Sequence, residues 1–205
     1  VVPTTETLGP FDLLFLARAL GMRNFEGTLH LRLEAAEGRR VRVHFLGGSP
    51  ALCFSDDPLE GFAAHASSQR LVPPEVLRAC AREARERGQC VEDVLKARGL
   101  MPEDAYRAAR TRLSEEIFGR ALGCPKAVFR LEPNTPPPPD ARRMRLDPWA
   151  VFFATVAAGA CPDYQREYVA ARSHRPLRFT PAFVPMVTRF GRPFGRPGRY
   201  VVRLI

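Results

Sequence analysis

Two runs within residues 27–55 alternate strictly between apolar and polar side chains. Their apolar members are Leu29, Leu31, Leu33, Val41, Val43 and Phe45. A period of two puts alternate side chains on opposite faces of a β-strand, so each run predicts a half-buried strand. The stretch therefore predicts a small antiparallel β-meander with one apolar face and one charged face. The apolar face needs a cover, and the flanking helical segments are the candidates for it.

A two-residue hairpin turn is expected at Gly47-Gly48, because glycine adopts the positive φ of a primed turn without steric cost. The chain would reverse at this turn and form the third strand of the meander. Folding the chain there places Leu52 opposite Val43, so Leu52 and Phe54 are expected to extend the apolar face.

The charged face of the meander is a candidate surface for a partner. Its candidate residues are His30, Arg32, Arg42 and His44. A register that pairs Leu31 with Val43 would bring His30 and His44 side by side. Two imidazoles could begin a metal site, but the sequence places no third ligand beside them. We therefore expect this face to meet solvent or a partner.

Apolar residues at helical spacing predict five helices before the next strand. They cover residues 11–22, 56–66, 73–88, 91–99 and 101–122, and residues 127–131 form the strand. The last three helices and this strand follow the order of a small winged-helix unit, so we predict a winged-helix-like helical block after the meander. Residues 1–10 are expected to be irregular.

The segment PNTPPPPD at residues 133–140 is the clearest boundary, because four consecutive prolines cannot enter a helix or a central strand. Residues 142–205 hold 12 of the 31 basic residues and 3 of the 22 acidic ones, so the net charge of +9 lies there. We predict an α+β domain at residues 1–132, a proline-rich linker at 133–141 and a basic α/β accessory subdomain at 142–205.

The accessory subdomain is predicted to contain helices at 149–160, 162–172 and 182–190 and strands at 177–180 and 200–205. Its last strand ends without a turn, so we expect the chain to be part of a longer protein. A general preference for arginine is an alternative origin of the basic excess, since Lys96 and Lys126 are the only lysines.

The first 132 residues resemble the PATAN domain family of bacterial signalling proteins. The likeness lies in the helix at 11–20, the GTLHL run at 27–31 and the VHFLGGSPA hairpin at 43–51. It continues in Gly88, Leu95, Gly99 and Leu100 of the helical block and in the VFRL run at 128–131. The resemblance implies a bacterial signalling context and a non-catalytic module that binds other proteins.

No arrangement of residues in the sequence predicts catalysis. The GGSP turn at 47–50 lacks the second glycine of a nucleophile elbow, and the glycines at 191–198 precede no Lys-Ser/Thr pair that would make a phosphate loop. The five cysteines form no CxxC pair, which fits a reducing cytoplasm. We expect no enzyme activity, cofactor, metal or membrane span.

Arginines and two phenylalanines in the C-terminal region are candidates for a partner or nucleic-acid surface. They are Arg142, Arg143, Arg145, Arg189, Arg192, Arg196, Arg199, Phe190 and Phe194. Guanidinium groups can pair with phosphates while rings stack on bases, although a solvated loop with packed phenylalanines is the alternative. Two functions follow: a protein-interaction adaptor of bacterial signal transduction, or a nucleic-acid-binding regulator.

Overall fold

The computed structural model describes residues 6–34, 38–159 and 162–170. Over these residues the chain forms a mixed α+β fold with seven α-helices and one five-stranded antiparallel sheet. The strands are β1 (Glu6–Leu8), β2 (Gly27–Leu33), β3 (Arg39–Leu46), β4 (Ser49–Ser55) and β5 (Ala127–Pro133). The helices are α1 (Asp12–Met22), α2 (Phe62–Ser68), α3 (Pro74–Arg87), α4 (Val91–Ala97), α5 (Glu103–Leu122), α6 (Pro148–Ala157) and α7 (Pro162–Ala170). Two 3-10 turns lie at Pro58–Glu60 and Pro139–Arg143.

The strand order in the sheet is β1-β5-β2-β3-β4. The meander predicted from the alternation is confirmed as β2, β3 and β4. The strand after the helical block, β5, inserts between β2 and β1 and so joins the meander's sheet. The expectation that residues 1–10 are irregular is wrong for Glu6–Leu8, which pair with β5.

Local signals account for two of the helix ends. Asp147 caps α6 by accepting hydrogen bonds from the amides of Trp149 and Ala150, at 3.0 and 3.2 Å. Gly88 ends α3 in the left-handed conformation, with φ of 61°. The helix predicted at 56–66 is divided into the 3-10 turn Pro58–Glu60 and α2.

Helices α1, α2 and α5 pack with the inner face of the sheet in one hydrophobic core. Leu29 and Val43 are 0% exposed, and Phe118 of α5 is also 0% exposed. Burying side chains of this size removes apolar surface from water and supplies most of the driving force for the fold. The predicted helical cover of the meander is confirmed.

The register between β2 and β3 differs from the expected one. Leu31 lies opposite Val41, and His30 lies opposite Arg42. His44 lies opposite Thr28 instead, so the prediction that the two histidines are side by side is wrong. A shift of two residues keeps every apolar side chain on the same face, so alternation alone does not distinguish the two registers.

A β-bulge changes the pairing of β3 with β4. Phe45 lies opposite Pro50, but His44 lies opposite Leu52 because Ala51 is the extra residue. The expected pairing of Leu52 with Val43 is therefore wrong. Leu52 and its neighbour Phe54 lie on the outer face instead.

The segment after β5 is attached to the body of the protein. The amide of Asn134 donates to the carbonyl of Glu26 at 2.9 Å, and Ala141 and Met144 pack on Leu52 in a second apolar cluster. This cluster covers one end of the outer face.

Helix α6 packs on α1 and α5. Leu146 and Val151 belong to the same core as the sheet. The division into domains at residues 132 and 142 stays a prediction, and the elements predicted at 177–180, 182–190 and 200–205 lie outside the described residues.

Candidate interaction face

Three adjacent strands, β5, β2 and β3, carry a cluster of basic side chains on the outer face. Arg32 lies directly opposite Arg40, and His30 lies between Arg42 and Arg130. The four arginines are exposed, and His30 is partly buried. We call Arg32, Arg40, Arg42, Arg130 and His30 the basic face.

No carboxylate neutralises the four arginines within the described parts of the chain. None of them belongs to a side-chain ion pair there. The neighbouring Arg39 behaves differently, because it contacts Asp57 and the buried Glu60, each at 2.6 Å. Like charges directly opposite one another on a sheet are destabilising, and Arg32 and Arg40 form such a pair without a compensating acid among the described residues.

Two acids border the basic face, and each has another role. Asp56 accepts a hydrogen bond of 2.8 Å from the backbone amide of Arg40. Glu132 lies 2.7 Å from Nε2 of His30. The surface here forms an open depression of about 530 Å³. It is lined by the basic face together with Leu31, Val41, Ser55, Asp56, Val128 and Phe129.

His44 lies on the same side of the sheet. The expectation that it faces solvent or a partner is wrong, because it is buried. It is 7% exposed, hydrogen-bonded through Nδ1 to the hydroxyl of Thr28 at 3.0 Å, and in edge contact with Phe54. Burial, with the positive charge of Arg42 adding to it, lowers the pKa of His44 to about 4. His44 is therefore neutral at physiological pH and packs against Thr28 and Phe54.

Arg110, on α5, reaches the outer face from the edge of the sheet. It is 4% exposed and lies 3.9 Å from Glu92. Its guanidinium carbon is 4.3 Å from the centroid of Phe54, and that of Arg42 is 5.5 Å from the same centroid. Two guanidinium groups therefore pack on this phenylalanine.

The prediction included Arg32 and Arg42 but omitted three arginines that the structure brings to this face or its border. Arg40 has the parity of Arg42, so the alternation could have identified it. Arg130 required knowledge that β5 pairs with β2, and Arg110 required the packing of α5 along β4. Neither relationship has a local signal.

Arg142, Arg143 and Arg145 are exposed at the covered end of the outer face. The first two lie in the turn Pro139–Arg143, and Arg143 is 3.9 Å from Glu103. Arg145 donates a hydrogen bond of 2.8 Å to the carbonyl of Met144. The other candidates, Arg189, Arg192, Arg196, Arg199, Phe190 and Phe194, lie outside the described residues.

Asp140 anchors this turn to the helical block. It accepts hydrogen bonds from the hydroxyl of Tyr106 at 2.8 Å and from Nζ of Lys96 at 3.0 Å. Burial alone would raise the pKa of Asp140, but these two hydrogen bonds lower it below its usual range. Burial and the bond to Asp140 together raise the pKa of Tyr106. These two hydrogen bonds hold the turn in place, and the carboxylate of Asp140 is engaged in both of them.

A larger groove of about 730 Å³ lies between α5 and α6. Small residues such as Gly119 and Ala154 form its floor, and Glu116 pairs with Arg112 at its rim, at 3.7 Å. The opposite charges at the rim compensate each other, in contrast to the basic face.

The described residues contain no group of three or more His, Cys, Asp or Glu side chains arranged to hold a metal ion. Burial raises the pKa of the Cys53 thiol, so this cysteine is not a thiolate nucleophile at neutral pH. None of the described helices is both long enough and apolar enough to span a bilayer.

Comparison with protein-family models matches no family, and comparisons with curated proteins and with solved structures find no match.

Proposed function

We propose that this chain is a non-catalytic adaptor module that binds another protein in bacterial signal transduction, with the basic face as its working surface. The observation that carries the proposal is the group of exposed arginines on β2, β3 and β5 without acidic partners among the described residues. Arginine is enriched at protein interfaces, because its planar group forms several directed hydrogen bonds and still packs on apolar surface.

The resemblance to PATAN domains supports the same function. It implies a bacterial signalling protein in which such a module lies beside other regulatory modules, and a cytoplasmic location is part of this proposal. Within this proposal, α3, α4 and α5 form the winged-helix-like block, and residues 142–205 form the basic accessory subdomain.

A nucleic-acid-binding regulator is the second candidate function. It is favoured by the exposed Arg142, Arg143 and Arg145 at one end of the basic face and by the net charge of +9. Binding through phosphate contacts weakens steeply as salt rises from about 50 to 200 mM, because released counterions drive it. A protein contact that also buries apolar surface depends less on salt.

The test compares material captured by the native chain and by the double variant Arg40→Ser/Arg42→Ser from a bacterial extract, with and without nuclease treatment. A second double variant, Arg82→Ser/Arg85→Ser, is the matched control, since it removes two exposed charges from α3. We expect a protein that the native chain and the control retain and that the first variant loses.

Two results would contradict this proposal. Captured material that nuclease releases would favour the nucleic-acid function. Equal retention by all three chains would place the working surface elsewhere.

A further inference from the structure

We infer that the ligand of the basic face is an extended polypeptide segment rich in aspartate and glutamate, whose carboxylates pair with Arg40, Arg42 and Arg130. This inference rests on the proposed adaptor function and names the chemistry of its partner.

The spacing of the arginines matches that of side chains on an extended peptide. Arg40 and Arg42 are two residues apart on β3, which corresponds to roughly 7 Å along the strand. Alternate side chains of an extended ligand have the same spacing, so a segment lying parallel to β3 would present a carboxylate to each arginine. Arg130 lies two strands away, at about 10 Å across the sheet, within reach of a third acid.

The chemistry of the side chains favours carboxylates. A guanidinium group binds a carboxylate with two parallel hydrogen bonds, and its charge persists at all physiological pH values. No acid within the described residues holds these arginines, so an incoming carboxylate displaces no internal ion pair.

The surroundings of the face argue against a nucleic-acid strand as its ligand. Proteins that bind single strands combine cationic grooves with aromatic rings on which bases stack. The phenyl ring at the border of the face, Phe54, is packed against the guanidinium groups of Arg42 and Arg110. The carboxylate of Asp56 lines the depression and that of Glu132 contacts His30, and both would repel a uniformly charged phosphate backbone. A polypeptide can place neutral or basic side chains at those two points.

Solvent-exposed ion pairs are individually weak, so the expected complex is transient and depends on several pairs together. Removal of two arginines is expected to weaken binding about tenfold, since each exposed pair contributes about threefold.

The experiment measures binding of the full chain to three fluorescent probes by anisotropy. They are a short peptide that alternates glutamate and threonine, the same peptide with lysine in place of glutamate, and an oligothymidylate of matched length. The proteins are the native chain, Arg40→Ser/Arg42→Ser, the single variant Arg130→Ser and the matched control Arg82→Ser/Arg85→Ser. Circular dichroism melts of each variant establish that the fold is intact.

We expect the native chain and the control to bind the glutamate peptide more tightly than either other probe. The double variant should bind it about tenfold more weakly and Arg130→Ser about threefold more weakly. Three results would overturn the inference: no binding of the glutamate peptide, equal weakening by the control variant, or tighter binding of the oligothymidylate with the same dependence on Arg40 and Arg42.

Failure of this inference is distinguishable from failure of the adaptor function. If the glutamate peptide does not bind but Arg40→Ser/Arg42→Ser still loses a captured protein, the adaptor function stands and only the partner chemistry is wrong. If the oligothymidylate binds and capture is sensitive to nuclease, both are wrong.

Discussion

The backbone amide of Cys53 donates a hydrogen bond of 3.2 Å to the side-chain hydroxyl of Ser114, and this contact joins edge strand β4 to α5. An uncovered edge strand leaves its amide and carbonyl groups without partners and offers them to other chains. Both residues are 0% exposed, so water does not replace the bond. Helix α5 therefore covers the edge of the sheet at Cys53 while it also packs in the core.

Replacing Ser114 with alanine should destabilise the protein by about 1–3 kcal/mol, because a buried amide would lose its acceptor. Urea denaturation followed by circular dichroism measures this change. Ser67→Ala, at an exposed position of α2, is the control and should stay within about 0.5 kcal/mol of the native chain. Equal effects of the two substitutions would contradict a role for the Cys53–Ser114 bond.

The two glycines of the hairpin turn should differ sharply in their tolerance of alanine. Both have positive φ, of 54° at Gly47 and 76° at Gly48. A Cβ at Gly47 would meet no atom within 4 Å, whereas one at Gly48 would lie 2.7 Å from the carbonyl oxygen of Gly21. Gly47→Ala should therefore cost only the left-handed strain, about 1–2 kcal/mol. Gly48→Ala should cost more, because the turn would have to move away from α1. Thermal melts of the two variants test the order, and similar melting temperatures would be evidence against this close approach.

His44 should make the stability depend on pH in mildly acidic solution. Its pKa is lowered from 6.5 to about 4 in the folded protein, so the unfolded chain binds a proton that the folded chain does not between these values. Stability contributed by neutral His44 is fully present above pH 6.5 and is lost as the pH falls towards 4. The loss amounts to roughly 3 kcal/mol, since one pKa unit corresponds to about 1.4 kcal/mol.

The matched comparison for this prediction is His44→Gln, which keeps a polar side chain beside Thr28 without a titrating group. Free energies of unfolding from urea titrations across the range from pH 4 to 6.5 should fall more steeply for the native chain than for the variant. Parallel pH profiles would show that the pKa of His44 is the same in the folded and unfolded states.

Tyr106→Phe should loosen the turn that covers one end of the outer face. The substitution removes the hydroxyl that donates to Asp140 at 2.8 Å but keeps the ring, which packs against Phe62. We expect a loss of about 0.5–1.5 kcal/mol and faster hydrogen exchange at the amides of Ala141 and Met144. Amides of α1 serve as the internal reference, and unchanged exchange of the turn would mean that Lys96 alone holds Asp140.

Much of the local structure was predictable because its signals act over a few residues. Alternation identified β2 and β3, the glycine pair identified the hairpin turn, and Gly88 marked the end of α3. For the basic face, the same alternation correctly placed Arg32 and Arg42 on the polar side of the sheet. These features depend on backbone geometry and on which side chains avoid water, and both are present in a short window of sequence.

The remaining features depended on segments that are distant in the sequence. The register of β2 with β3 is one of these features, because a shift of two residues preserves the alternation. The bulge at Ala51 is another, because it breaks the alternation of β4 without a signal in the strand itself. Arg130 reaches the basic face only because β5 returns to pair with β2 across about 100 residues of chain. Without knowledge of that pairing, the sequence does not show that Arg130 lies beside His30.

The amino-acid sequence by itself determined most of the helices, the strands β2 and β3, and which side of these two strands avoids water, since propensity and periodicity are local properties. The tertiary structure decided what covers each face of the sheet. His44 has the parity of an exposed residue, yet it is buried beside Thr28 and Phe54. The bulge turns Phe54 to the outer face, where the side chain of Arg110 packs on it, while the neighbouring arginines stay exposed. That difference arises from packing between distant segments, which no periodicity records.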